Sequence, residues 1–223
     1  MRFCRRSLVA AVFLGITLFG AKNASAAPIL VDAVGDAFSV DWSGFSSPNN
    51  LPVSAESDWT VASYTPTSVT FAVTITNTSE SAPASLTGFG FNTDLAVLSG
   101  LETSAIWDQV SLTDHNFDVC VENDTNNNCF GNSGNPLDGI AVDMTHAFNL
   151  TLTFASTLGG VTLSDFFARV QGIAPNDSAK LTAEPLCTSG CDEELLPVPE
   201  PATLSLLGVG LAGASARRFK RRK

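Results

Sequence analysis

Residues 68–76, SVTFAVTIT, put Val69, Phe71, Val73 and Ile75 on one side of an extended chain and Thr70, Ala72, Thr74 and Thr76 on the other. Residues 148–154, FNLTLTF, do the same with Phe148, Leu150, Leu152 and Phe154 against Asn149, Thr151 and Thr153. Side chains of a strand alternate between faces, so a period of two with β-branched residues and threonine outside describes strands half buried in an antiparallel sheet. Shorter stretches of the same kind lie at 37–42 (AFSVDW), 58–64 (DWTVASY), 86–91 (LTGFGF), 117–121 (FDVCV) and 168–173 (ARVQGI). Short strands separated by turn-rich gaps predict an all-β domain over residues 27–173, an antiparallel β-sandwich with jelly-roll or immunoglobulin-like topology left open. A short helix is expected at 163–167, where Ser164 and Asp165 can cap it. Residues 174–197, APNDSAKLTAEPLCTSGCDEELLP, lose the alternation and gain proline, serine and acids, which reads as an acidic stalk.

The ends of the chain differ from this middle. At the N-terminus, Arg2, Arg5 and Arg6 precede an apolar run from Leu8 to Ala21 and a small-residue exit at Ala24, Ser25 and Ala26. That order is a signal peptide over residues 1–26, handled by the Sec translocase and signal peptidase. Cys4 lies in front of the apolar run and leaves with the peptide. At the other end, residues 202–216 carry no charge and reach roughly 22 Å as a helix, short for a hydrocarbon core about 30 Å thick. Arg217, Arg218, Lys220, Arg221, Arg222 and Lys223 follow at once, so the positive-inside rule makes 202–216 a transmembrane helix and 217–223 a cytoplasmic basic tail.

Just before that apolar run stand Pro199, Glu200 and Pro201. The two prolines hold the backbone extended and deny it helix, and the glutamate places a charge at a depth where charge is costly. Tripeptide, apolar run and arginine-rich tail, taken together over residues 198–223, resemble the PEP-CTERM sorting signal of Gram-negative bacteria that make exopolysaccharide. The resemblance implies processing by an exosortase, a membrane-embedded cysteine transpeptidase. It implies residence in the inner membrane before cleavage and at the outer surface or in the extracellular matrix after it. It is an address, and it is silent on what the delivered domain does.

Charge is partitioned just as sharply. Of twelve lysines and arginines, only Arg169 and Lys180 fall between the two ends, while all twenty-two acids lie from Asp32 to Glu200. A surface so acidic repels nucleic acid and favours solubility; no cofactor is expected, though the carboxylates leave room for calcium. Cys120, Cys129, Cys187 and Cys191 remain in an oxidising compartment, and four cysteines allow three pairings. The local pairing, Cys120 with Cys129 and Cys187 with Cys191, is preferred because each pair is adjacent in sequence. Zinc is disfavoured, since neither spacing is C-x-x-C and His115 and His146 are not at ligand spacing.

Little here is catalytic. Ser133 in GNSGN, with His115 and Asp108 or Asp114, makes a triad only on paper, because His115 and Ser133 are too near in sequence for the protease order. In CVENDTNNNCFGNSGNPLDG, Asp124, Asn126 and Asn128 fit the first, third and fifth positions of an EF-hand loop. Cys129 and Asn135 then stand where glycine and glutamate are required. A looser calcium site on Glu122, Asp124 and Asn126 competes with a plain surface loop tied by a disulfide. Two readings of function stay open. One is a non-enzymatic surface or matrix protein associated with exopolysaccharide, floc or biofilm. The other is a carbohydrate-binding module or glycan-active enzyme on the same scaffold, which would want exposed aromatics among Trp42, Trp59, Trp107 and Tyr64. The alternation places Trp42 with Phe38 and Val40 in the core.

Overall fold

A computed structural model of the chain describes residues 28–80, 83–114, 117–123, 139–173 and 177–193. The segments expected to be a signal peptide, a transmembrane helix and a basic tail lie outside these. Among the described residues all regular structure is strand. The strands are β1 (Ile29–Val31), β2 (Ala37–Phe45), β3 (Pro52–Tyr64), β4 (Ser68–Asn77), β5 (Ser85–Thr93), β6 (Val97–Glu102) and β7 (Gln109–Asp114). β8 (Phe117–Glu122), β9 (Ile140–Ala141), β10 (Thr145–Phe154), β11 (Val161–Ile173), β12 (Asp177–Ser189) and β13 (Asp192–Glu193) complete the set.

Every ladder is antiparallel, and one continuous sheet runs β6-β10-β4-β3-β2-β12-β11-β5-β8-β7. The two segments that announce the fold are neighbours: β4 and β10 pair from Thr76↔Thr145 to Ser68↔Thr153. Their apolar faces, Val69, Phe71, Val73, Ile75 and Phe148, Leu150, Leu152, Phe154, are all buried. On the outer side hydroxyls meet across the ladder, Thr70 with Thr151 at 3.0 Å and Thr76 with Thr145 at 2.9 Å.

The sheet is rolled, and aromatic packing shows why. Trp59 on β3 and Phe91 on β5 are four ladders apart, which in a flat sheet is about 19 Å at the usual strand spacing. Their ring centroids lie 5.7 Å apart. Trp59 also meets Phe38, Phe71, Phe89 and Phe166 at 5.5, 5.6, 5.8 and 6.1 Å, and its indole N–H donates to Ser57 Oγ at 2.7 Å. The two ends of the sheet consequently come together: a Cβ added to Gly100 on β6 would lie 2.4 Å from Val110 Cγ1 on β7.

Two expectations are corrected. Residues 163–167 form no helix; they belong to β11, where the register to β5 shifts between Ser164 and Phe167 and Asp165 takes a φ of 51°. This bulge lets Phe166 and Phe167 both be buried, Phe166 in the main core and Phe167 in a second cluster. Nor is 174–197 a stalk throughout, because 177–189 is β12, held between β11 and β2. Of its inward residues, Ala179, Leu181, Ala183 and Pro185, only Leu181 is large and apolar, so the alternation is faint in sequence. Pro185 is tolerated because the β11 ladder ends at Thr182 and only β2 pairs with the chain beyond it.

Removing the hub of the aromatic packing has a large expected cost. Trp59→Ala should lower the unfolding free energy by about 3–5 kcal/mol, measured by denaturant titration, and should leave Ser57 without its partner. Phe45→Ala, at an exposed ring, should change stability by less than about 0.5 kcal/mol.

Candidate functional site

The most chemically loaded part of the fold lies on the outer face of β5, β8 and β11. In LTGFGF the two phenylalanines, Phe89 and Phe91, point into the core, and Gly88 and Gly90 fall on the opposite face. Each glycine is the middle of a row. One row runs Gln109, Glu122, Gly88, Arg169 and Lys180 across β7, β8, β5, β11 and β12. The other runs Ser111, Cys120, Gly90, Phe167 and Thr182.

The absent side chains on β5 are what let the flanking strands meet. A Cβ on Gly90 would sit 2.3 Å from the Phe167 ring, which lies against Phe117 with centroids 3.9 Å apart. Cys120 and Phe167 form the second buried apolar cluster there. Over Gly88, Glu122 and Arg169 approach from two strands apart. Both are buried, at 5% and 7% exposure. Glu122 Oε1 accepts hydrogen bonds from Ser111 Oγ at 2.7 Å and Gln109 Nε2 at 3.0 Å. Burial lowers the Arg169 pKa from its ordinary value, and the nearby Glu122 carboxylate acts in the opposite sense. The exposed Lys180 on β12 is the cross-strand neighbour of Arg169.

Glu122 therefore ends a strand, with its carboxylate turned to Gln109 and Ser111. Asp124 and Asn126, the other two residues of the expected calcium site, lie outside the described residues, as do His115 and Ser133. Among the described residues no group of three histidines, cysteines or acids is placed to hold a metal. Trp42, Trp59 and Trp107 are 1%, 1% and 3% exposed, so none of the tryptophans offers a ring to solvent.

A contact that the sequence reading passed over joins Ser104 to His146. Ser104 Oγ and His146 Nε2 are 2.6 Å apart, and Ser104 Oγ also accepts the N–H groups of Ile106 and Trp107 at 2.9 and 3.2 Å. The Glu102 carboxylate accepts the N–H of Ser104. With its oxygen committed to two amides, Ser104 closes the turn that sets Trp107 into the core. The pair was hidden in sequence by a separation of forty-two residues.

Where the chain leaves the domain, Cys187 and Cys191 are bonded, with Cα atoms 5.8 Å apart. Cys120 is also disulfide-bonded; Cys129, its expected partner, lies outside the described residues. Pro199, Glu200 and Pro201 likewise lie outside them, beyond the end of β13 at Glu193.

The opposite charges of Glu122 and Arg169, both buried, yield a measurable coupling. Arg169→Met alone should cost about 1–3 kcal/mol of stability, since it removes a buried guanidinium and its bonds. The double variant Arg169→Met, Glu122→Gln should cost clearly less than the sum of the two single changes in a double-mutant cycle of denaturant unfolding.

Comparison with curated proteins and with solved structures found no match. One comparison did: residues 197–222 match the family model described as "PEP-CTERM protein-sorting motif", and the chain therefore carries the C-terminal signal of an exosortase substrate.

Proposed function

We propose that this protein is an exported, non-enzymatic component of the cell surface or extracellular matrix, sorted by exosortase and associated with exopolysaccharide, floc or biofilm. The observation that carries the reading is the sorting motif at 197–222 attached to an acidic, all-β domain. Two features support the non-enzymatic part. The polar constellations of the domain are turned to structural work: Glu122 accepts from two side chains, and Ser104 caps a turn. The tryptophans that would stack on sugars in a carbohydrate-binding module lie in the core instead. The outward face of β10, β4, β3 and β2 is rich in threonine, serine and carboxylate, as in the row Thr145, Thr76, Glu56 and Asp41. Such a face suits a hydrated polymer layer, in which solubility and repulsion between like domains prevent collapse.

In a host with an exosortase, the surface-located protein should end at or near Pro199, Glu200 and Pro201 when its intact mass is measured. In a host lacking the enzyme the full chain should stay in the inner-membrane fraction. Glu200→Ala should shift the balance toward the uncut form. Surface protein that still carries ARRFKRRK (residues 216–223) would make the C-terminus an ordinary anchor and overturn the proposal.

A further inference from the structure

We infer that His146 is a proton-operated latch on the turn that seats Trp107: the neutral imidazole holds the turn closed, and the charged imidazole opens it and frees the indole from the core. The latch does not depend on the sorting signal. Ser104 Oγ accepts the N–H groups of Ile106 and Trp107 at 2.9 and 3.2 Å and lies 2.6 Å from His146 Nε2. A hydroxyl has one proton and two lone pairs. The two amides occupy both lone pairs, so the serine proton goes to Nε2, and Nε2 has to arrive without one. Only the neutral ring, with its own proton on Nδ1, completes the turn. A charged ring brings Ser104 Oγ a third donor, and one of the amides has to let go.

Trp107 is poised to respond. It is 3% exposed, and its ring lies against Phe89 and Phe148 with centroids 5.7 and 6.3 Å away. Phe148 in turn stacks on the His146 ring at 6.1 Å and an interplanar angle of 19°. Yet among the described residues the buried indole N–H of Trp107 has no acceptor. A buried donor without a partner is a cost that release into water removes. The turn also sits at a weak place in the fold. It connects β6 to β7, the two ends of the sheet, which lie side by side with no ladder between them among the described residues. Opening there breaks few backbone hydrogen bonds.

The charged groups on the elements packed around His146 are Glu102 at the end of β6, Asp108 after Ser104 and Asp143 before β10. β4, laddered to β10 through Ile75↔His146, carries none, and neither does β5, which meets β10 through Phe89 and Phe148. The Glu102 carboxylate is bonded to the N–H of Ser104. All three are acids, so none repels a proton arriving at the ring. The closed turn requires a neutral ring, so it is favoured at higher pH and loses ground as pH falls through the range in which imidazoles charge. One proton is linked, and the ratio of open to closed turn therefore rises by at most about tenfold per pH unit.

The test uses the full-length protein in detergent, labelled with fluorotryptophan, and follows the indole resonances of Trp42, Trp59 and Trp107 by fluorine NMR between about pH 8 and about pH 5. The Trp107 resonance is identified by its loss in Trp107→Phe, and its exposure is read from the shift between light and heavy water. It should move to the solvent-exposed position as pH falls, while those of Trp42 and Trp59 stay in place. In His146→Gln, whose side chain can accept the serine proton and cannot charge, it should hold the closed position throughout. In Ser104→Ala it should be exposed throughout. A wild-type Trp107 that stays closed at low pH would overturn the latch, as would an equal response in His146→Gln. Movement of all three resonances together would mean acid unfolding of the whole domain and would overturn it too. Should His146→Gln fail to fold, Ser104→Ala decides, because a pH response that survives there does not run through the serine.

Discussion

Trp59 is the constraint from which the rest of the architecture follows. Its indole is in ring contact with residues of β2, β4, β5 and β11, strands spread over half the width of the sheet. No flat sheet satisfies those contacts at once. Burying one large aromatic among five others offsets the cost of bending, since each ring carries a large apolar area and edge-to-face pairs add to it. Once the sheet rolls, β6 and β7 arrive side by side, and the close approach of Gly100 to Val110 leaves neither edge fully open. Two exposed edges would otherwise invite pairing with other chains.

Rolling also gives the sheet a second face on which polar groups had to be accommodated. The alternation in β5 solves both sides together, with Phe89 and Phe91 inward and Gly88 and Gly90 outward. Without side chains on β5, Phe167 closes over one glycine, and Glu122 and Arg169 flank the other from β8 and β11. A buried carboxylate needs donors, which Ser111 and Gln109 supply to Glu122. Both charges help to specify register, because slipping β8 or β11 by one residue would turn a charge toward the core.

The pairing of β1 with β13 joins strands from opposite ends of the described residues. The turn before β13 is held by a disulfide, a glycine with positive φ and a buried aspartate.

Local chemistry written along the chain was enough for part of this. The period of two at 68–76 and 148–154 determined strands β4 and β10 and the all-β class, since facing is a property of consecutive residues. The tripeptide, apolar run and cationic tail at 198–223 were legible for the same reason, and the family match falls on them. Tertiary structure alone decided that 177–189 is an interior strand: alanines and a proline give no periodic signal, and their fit depends on the neighbours β2 and β11. It alone joined Ser104 to His146, Glu122 to Ser111 and Glu193 to Ile29. Those partners are brought together by ladders between distant segments, and a ladder is chosen by how the whole sheet closes over its core, which no single stretch of sequence encodes.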